Sequence, residues 1–323
     1  MVTQWRFPFL SRGAGGVLLR GVRMPFILAS LWCSVAWAGG ELPPAAKKTG
    51  ASRKPGLSIQ VHGGGWGRVS RDDIESVLQA TADTLLSRLP GRLTVPIVVT
   101  HTEGPPVALY GRGAQGEFRI RLHARGENWH LYAYEFAHEL CHLLSNHDAH
   151  VAAGGEGPHA NQWFEEALCE TASLYVLKHL ADEWAAAPAG SRWAEEGLVL
   201  RRFFDLLIAE GHRRLPAGTP LAEWLQQHEA ALRSDPYLRQ KNELVATLML
   251  PLFEADGGHW EALGYLNLAP EDARAGLRRY LAHWYRHAPL QHRALVGQVL
   301  ALLGVEGVMP ALPAADGLLA RAR

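Results

Sequence analysis

The sequence predicts an α+β protein: a small αβ lobe with a twisted sheet, then one apolar helix, then a mainly α-helical C-terminal lobe. Three observations carry this. Between residues 57 and 122, three short segments alternate apolar and polar residues with the period of two that a half-buried strand requires, and one amphipathic helical pattern lies among them. From residue 163 onward apolar residues recur at helical spacing, punctuated by prolines and glycines. Between these regions sits Tyr134-Glu135-Phe136-Ala137-His138-Glu139-Leu140-Cys141-His142-Leu143-Leu144, an apolar run without proline or glycine.

In chain order, residues 1–38 read as an export signal. Arg20 and Arg23 precede an apolar run from Met24 to Trp32, which closes in Ala36-Trp37-Ala38, a small-x-small cleavage pattern. The run is too short to span a bilayer comfortably, so cleavage is expected over retention as a single anchor. Either Met1 or Met24 can be the start, and bulky Trp32 argues against lipidation at Cys33. The expected location is periplasmic or extracellular, with no stable membrane insertion after cleavage. Residues 39–56 are small, polar and basic, as a linker is. Lys and Arg together number 32, as do Asp and Glu, and the charges are mixed along the chain. Nothing in that balance suggests a nucleic-acid-binding or anionic-membrane surface, and neither partner is expected.

Residues 57–127 form the predicted αβ lobe. Leu57-Ser58-Ile59-Gln60-Val61-His62 alternates like a strand and ends in Gly63-Gly64-Gly65, a turn that lacks dinucleotide-binding spacing. Ser70-Arg71-Asp72-Asp73 resembles a capping box opening a helix whose apolar face holds Ile74, Val77, Leu78, Leu85 and Leu86, and which stops at Pro90-Gly91. Residues 93–99 make a second strand, in which Pro96 suggests an edge or a bulge. Phe118, Ile120 and Leu122 alternate with Arg119, Arg121 and His123 in a third. Residues 128–323 hold the apolar helix and candidate helices at 163–180, 192–211, 220–232, 238–254, 271–287 and 290–303. They are expected to form one catalytic unit with 57–127.

The apolar helix contains His-Glu-x-x-His. On a helix, His138 and His142 lie one turn apart on one face, so both imidazoles can meet one metal ion, and Glu139 beside them can take a proton from a metal-bound water. A catalytic zinc needs a third protein ligand and an open position. Two sources compete. Asp148 stands six residues after His142, the metzincin spacing, but Ser145 occupies the place of that family's helix-breaking glycine and Met249 sits in no convincing Met-turn. The other source is Asn161-Gln162-Trp163-Phe164-Glu165-Glu166-Ala167-Leu168-Cys169-Glu170. His147, His150 and His159 are further donors in a His-rich loop. The loop 143–162, with Gly154-Gly155 and Gly157-Pro158, is expected to be a flexible cover near the cleft.

The stretch from Trp163 to Glu170 resembles the second motif helix of the gluzincin metallopeptidases, the group of thermolysin-like and aminopeptidase N-like enzymes, in which Trp-x-x-Glu-small follows the first motif by about twenty residues. Trp163, Glu166 and Ala167 match, with Ala167 in place of the usual glycine. The resemblance implies that Glu166, not Glu165, is the third ligand of one Zn2+ per chain. Glu170, one turn further, would accept the second ring N–H of a ligand histidine. Asp235-Pro236-Tyr237 is similar to the Pro-Tyr-helix segment of the aminopeptidase N-like enzymes and implies that the Tyr237 hydroxyl faces the oxyanion, although the Lys-Gly that follows in that family is absent. The strand at 117–122 is similar in position to the gluzincin edge strand, which pairs with extended substrate, but periodicity alone also fits an interior strand. If both helices ligate one ion, Cys141 and Cys169 can approach disulfide distance, or remain separate buried thiols; a thiolate ligand is disfavoured, because Cys141 points partly away from the histidine line. The resemblance thus implies an exported zinc metallopeptidase acting on a peptide or protein. No amine-binding Gly-Ala-Met-Glu-Asn segment precedes the motif, which counts against an aminopeptidase. The alternative is a non-catalytic protein binding peptide or cell-wall material on a peptidase scaffold.

Overall fold

The computed structural model describes residues 57–86, 93–152, 158–188 and 190–305. The signal, the linker, the Pro90-Gly91 stop and the glycines at 154, 155 and 157 lie outside them. The protein is α+β, as the patterning predicts. A small four-stranded sheet near the N-terminal side is followed by a mostly helical region.

Strand β1 (Ile59–His62), helix α1 (Arg71–Leu86) and strand β2 (Ile97–His101) form a crossover unit, so β1 and β2 pair in parallel. Strand β3 (Val107–Ala108) and strand β4 (Phe118–Leu122) complete the sheet in the order β1-β2-β4-β3. β4 runs parallel to β2, with Val99 opposite Ile120, and β3 runs antiparallel to β4, with Ala108 opposite Ile120. Two expectations change here. Pro96 marks neither an edge nor a bulge: it stands just before β2, a central strand, and its carbonyl accepts the Phe118 N–H at 2.9 Å. A proline before the first residue of a strand withholds its missing donor from the ladder. Of the two places left open for the 118–122 strand, it takes the interior one, and the sheet's edges are β1 and the two-residue β3. Ser70 accepts the Asp72 N–H at 3.2 Å at the start of α1, while Asp73 is turned to Arg192 at 3.3 Å and supplies no return leg of a capping box.

Helix α2 (Trp129–Leu144) buries 14 of its 16 residues. A helix apolar around nearly its whole circumference belongs in an interior, and α2 lies between the strands β3 and β4, helix α1, and helix α4 (Gln162–Ala185). A short helix α3 (Ala149–Ala152) stands between α2 and α4. Around α4 pack α2, α5 (Arg192–Ala209) and α7 (Arg239–Glu254). Gly197 permits the close α4–α5 approach: a Cβ there would meet the Ala185 nitrogen at 2.6 Å and the Ala181 carbonyl at 3.0 Å. Helix α6 (Leu221–Ser234) precedes α7. The predicted 271–287 helix divides into a 3-10 turn, Pro270–Arg274, and α8 (Leu277–His287), and α9 (Leu290–Leu302) follows. A 3-10 segment, Gly257–Tyr265, covers a stretch with no predicted structure. Because α1 packs on both α2 and α4, the αβ lobe and the metal-motif helices share one core. No helix among the described residues is long and apolar enough to cross a membrane.

Candidate metal centre

Helices α2 and α4 lie side by side, and successive turns of each face the other. Tyr134, His138 and His142 form one line on α2, and Glu166 and Glu170 form the facing line on α4. At the upper level, His138 Nε2 is 3.2 Å from Glu166 Oε2 and His142 Nε2 is 3.7 Å from Glu166 Oε1. Ligand atoms about 2.0–2.1 Å from a tetrahedral zinc stand about 3.3 Å from one another. Each histidine thus meets a different Glu166 oxygen, while the side chains whose ligand atoms all lie within 4.8 Å of one another are His138, His142 and Cys169.

The surroundings are acidic. Glu139, Glu165 and Glu166 are all buried, and among the described residues no arginine or lysine forms an ion pair with any of them. Burial alone would raise the Glu166 carboxyl, but the nearby His142 charge and the His138 and Gln162 hydrogen bonds outweigh it and hold its pKa below the usual range. Burial likewise opposes charge on His142, yet Glu166, the Glu165 hydrogen bond and Glu139 push its pKa up to about 10. Without a metal, the cluster thus depends on protonated imidazole for its positive charge. Glu139 differs: burial raises its pKa, and His138 and His142 only partly offset that. Its Oε2 accepts the Ala108 N–H at 2.6 Å, so the edge strand β3 holds this carboxylate in place.

Sequence reasoning assigned the carboxylate behind a ligand histidine to Glu170, and the structure gives that place to Glu165. Glu165 Oε1 lies 2.7 Å from His142 Nδ1, leaving Nε2 toward Glu166. Its Oε2 also lies 3.1 Å from His159 Nε2 and accepts from Asn267 Nδ2 at 2.9 Å, and Tyr280 donates to Asn267 at 2.7 Å. Gln162 Nε2 donates to Glu166 Oε1 at 3.1 Å. Glu170 instead belongs to a second layer, one turn away. It accepts from the Tyr134 hydroxyl and from Arg213 Nη2 at 2.9 Å. Arg213 also reaches Glu243 at 3.3 Å, and Arg239 and His212 meet Glu243 at 2.5 and 2.6 Å.

Asp148 faces Arg112 at 3.7 Å, and Ser145 donates to the His142 carbonyl at 3.1 Å, so the metzincin-spaced residue is turned to the surface. Asn146, at φ 58°, turns the chain out of α2 and is tied to the Gly264 and Leu266 carbonyls. The first part of the expected cover loop is therefore anchored. His147 is buried, with its ring 5.9 Å from that of His142.

Tyr237 is half-buried at the entry to α7, where its N–H donates to Asp235 and Asn242 donates to the Pro236 carbonyl. Tyr110, unsuspected from sequence, stands just past β3 and stacks on His147 with ring centroids 5.2 Å apart. Tyr110 is 41 % exposed, and desolvation of its inner part, followed by the Glu165 charge, raises its pKa. Its position after a two-residue strand left no periodic signal to find it. Cys141 and Cys169 are fully buried free thiols rather than a disulfide. Burial raises the Cys169 thiol well above its usual pKa, and its hydrogen bond to Cys141 adds to this.

No protein-family model matches the chain, and no curated protein and no solved structure matches it either.

Proposed function

We propose that this protein is an exported zinc metallopeptidase of gluzincin type, with His138, His142 and Glu166 as metal ligands. The observation that carries this reading is the buried excess of carboxylate around two histidines at zinc spacing, with Glu139 held in place by a sheet edge. A zinc ion bound there would polarise a carbonyl and supply a nucleophilic water at neutral pH. Glu139 then serves as the proton carrier: its raised pKa favours accepting a proton, and the Ala108 N–H keeps it aimed. Glu165 orients His142 through Nδ1 and raises its basicity. Tyr237 or Tyr110 donates to the oxyanion that develops on the scissile carbonyl.

The test is Glu139→Gln, assayed on a peptide library beside the wild-type protein, with zinc measured in both. Hydrolysis lost with zinc retained supports the assignment. Full hydrolysis by the zinc-loaded variant would sink the general-base role, and a zinc-loaded wild type that binds but never cleaves peptides would make this a binding protein.

A further inference from the structure

We propose that Cys169 supplies a fourth protein ligand to the metal held by His138, His142 and Glu166, closing the site in its resting state. This rests on the reading of those three residues as ligands. The Cys169 sulfur and a ring nitrogen from each of His138 and His142 lie within 4.8 Å of one another. In a tetrahedral zinc site, bonds of about 2.3 Å to sulfur and 2.0 Å to nitrogen put these atoms about 3.5 Å apart. Binding the metal would draw these atoms together by up to about 1.3 Å.

Cys169 follows Glu166 by three residues on α4, and an i, i+3 pair on one helix can serve one metal centre, as the Glu-x-x-His pairs of helical bundles do. The side chain is fully buried, and a thiolate is a soft ligand that suits zinc. Cys141, its neighbour, is likewise a buried free cysteine. The metal itself provides the charge that holds a thiolate: the sulfur–metal bond forms as the S–H proton passes to solvent, with no change of oxidation state.

Three protein ligands leave one position open, and a fourth fills it. Cys169 therefore acts as an internal cap that must give way before the site can work on a substrate.

The experiment is cobalt substitution of the full chain, read by absorption, because thiolate–Co2+ bonds give an intense near-ultraviolet charge-transfer band that nitrogen and oxygen ligands do not. We expect one Co2+ per chain, a charge-transfer band in wild type and in Cys141→Ser, and loss of that band with retention of Co2+ in Cys169→Ser. Stoichiometric Co2+ with visible bands but no charge-transfer band in wild type would overturn the cap and leave the three-ligand site standing. A band that survives in Cys169→Ser would also overturn it. Failure of the wild-type protein to bind Co2+ would overturn the three-ligand site and the cap together.

Discussion

Helices α2 and α4 carry two buried acidic layers one turn apart, and the two are balanced in opposite ways. The layer at Tyr134 and Glu170 brings its own fixed cations, Arg213 and Arg239, to Glu170 and Glu243. The layer at His138 and Glu166 gathers Glu139, Glu165 and Glu166 with only titratable imidazoles opposite. A buried carboxylate must be paired, metal-bound or neutral, because an isolated charge in a protein interior is too costly to keep. The lower layer pairs its carboxylates with arginine, so the Glu210, His212 and Glu243 side chains, although close enough to hold an ion, already have cations on them. Among the described residues the upper layer has no arginine or lysine on its carboxylates, and in the proposed reading a bound metal ion would supply that charge. Proximity of ligand atoms is therefore a weaker guide to a metal site than the sign of the surrounding charge.

Removing Arg213 attacks the self-balanced layer directly. Arg213→Met leaves Glu170 short of a partner in the interior and should cost about 3–5 kcal/mol in urea unfolding. The loss should be equal in zinc and in chelator; a loss that shrinks in zinc would mean that the two layers are not independent. In wild type, zinc at about a thousandfold excess over its Kd should add about 4 kcal/mol relative to chelator. Glu166→Ala should erase that difference, which differential scanning would read as superimposed transitions.

Glu135 shows what becomes of a carboxylate given neither solution. It is buried on α2 and accepts only the His123 and Ala124 N–H groups, and burial raises its pKa from the ordinary 4.5 to about 8. The folded state then holds a proton that the unfolded chain has released. Stability should fall as pH rises from about 4.5 through about 8, by on the order of 5 kcal/mol, and Glu135→Gln should flatten that slope. A wild-type stability unchanged across this range would show that Glu135 is charged in the fold.

Smaller effects separate Glu165, against His142, from Asp148, which is turned to Arg112. Glu165→Gln should weaken zinc tenfold to a hundredfold, about 1.4–2.7 kcal/mol, in a competition titration, because it orients a ligand without being one. Asp148→Ala should change stability by less than about 1 kcal/mol and leave metal content intact, since its Arg112 pair is exposed.

Much of this was legible in the sequence for local reasons. Periodicity separates 57–122 from the helices beyond 163, and the five-residue motif fixes His138, Glu139 and His142 because both histidines ride one helix. The residues that were not legible depend on tertiary placement. Glu165 and Glu170 are both acidic on one helix, and only the rotation of α4 against α2 decides which reaches His142 and which reaches Arg213. β3 is two residues long, too short to show alternation, so the sequence left open whether its longer neighbour was edge or interior. Pro96 was read as an edge signal because sequence cannot show that it precedes the ladder. Asn267 and Arg213 come from turns distant in the chain, where no pattern predicts convergence.

The spacing of the ligands along the chain also bears on folding order. His138 to Glu166 is a short separation bridged by one loop, whereas Tyr134 must wait for Arg213 and Glu243, which lie far downstream. Loop-closure entropy grows with length, and contacts of low sequence separation form sooner. The α2–α4 hairpin can therefore close while the chain beyond α4 is still unstructured, and a metal ion captured at that moment would act as a nucleus on which the arginine-bearing segments later condense.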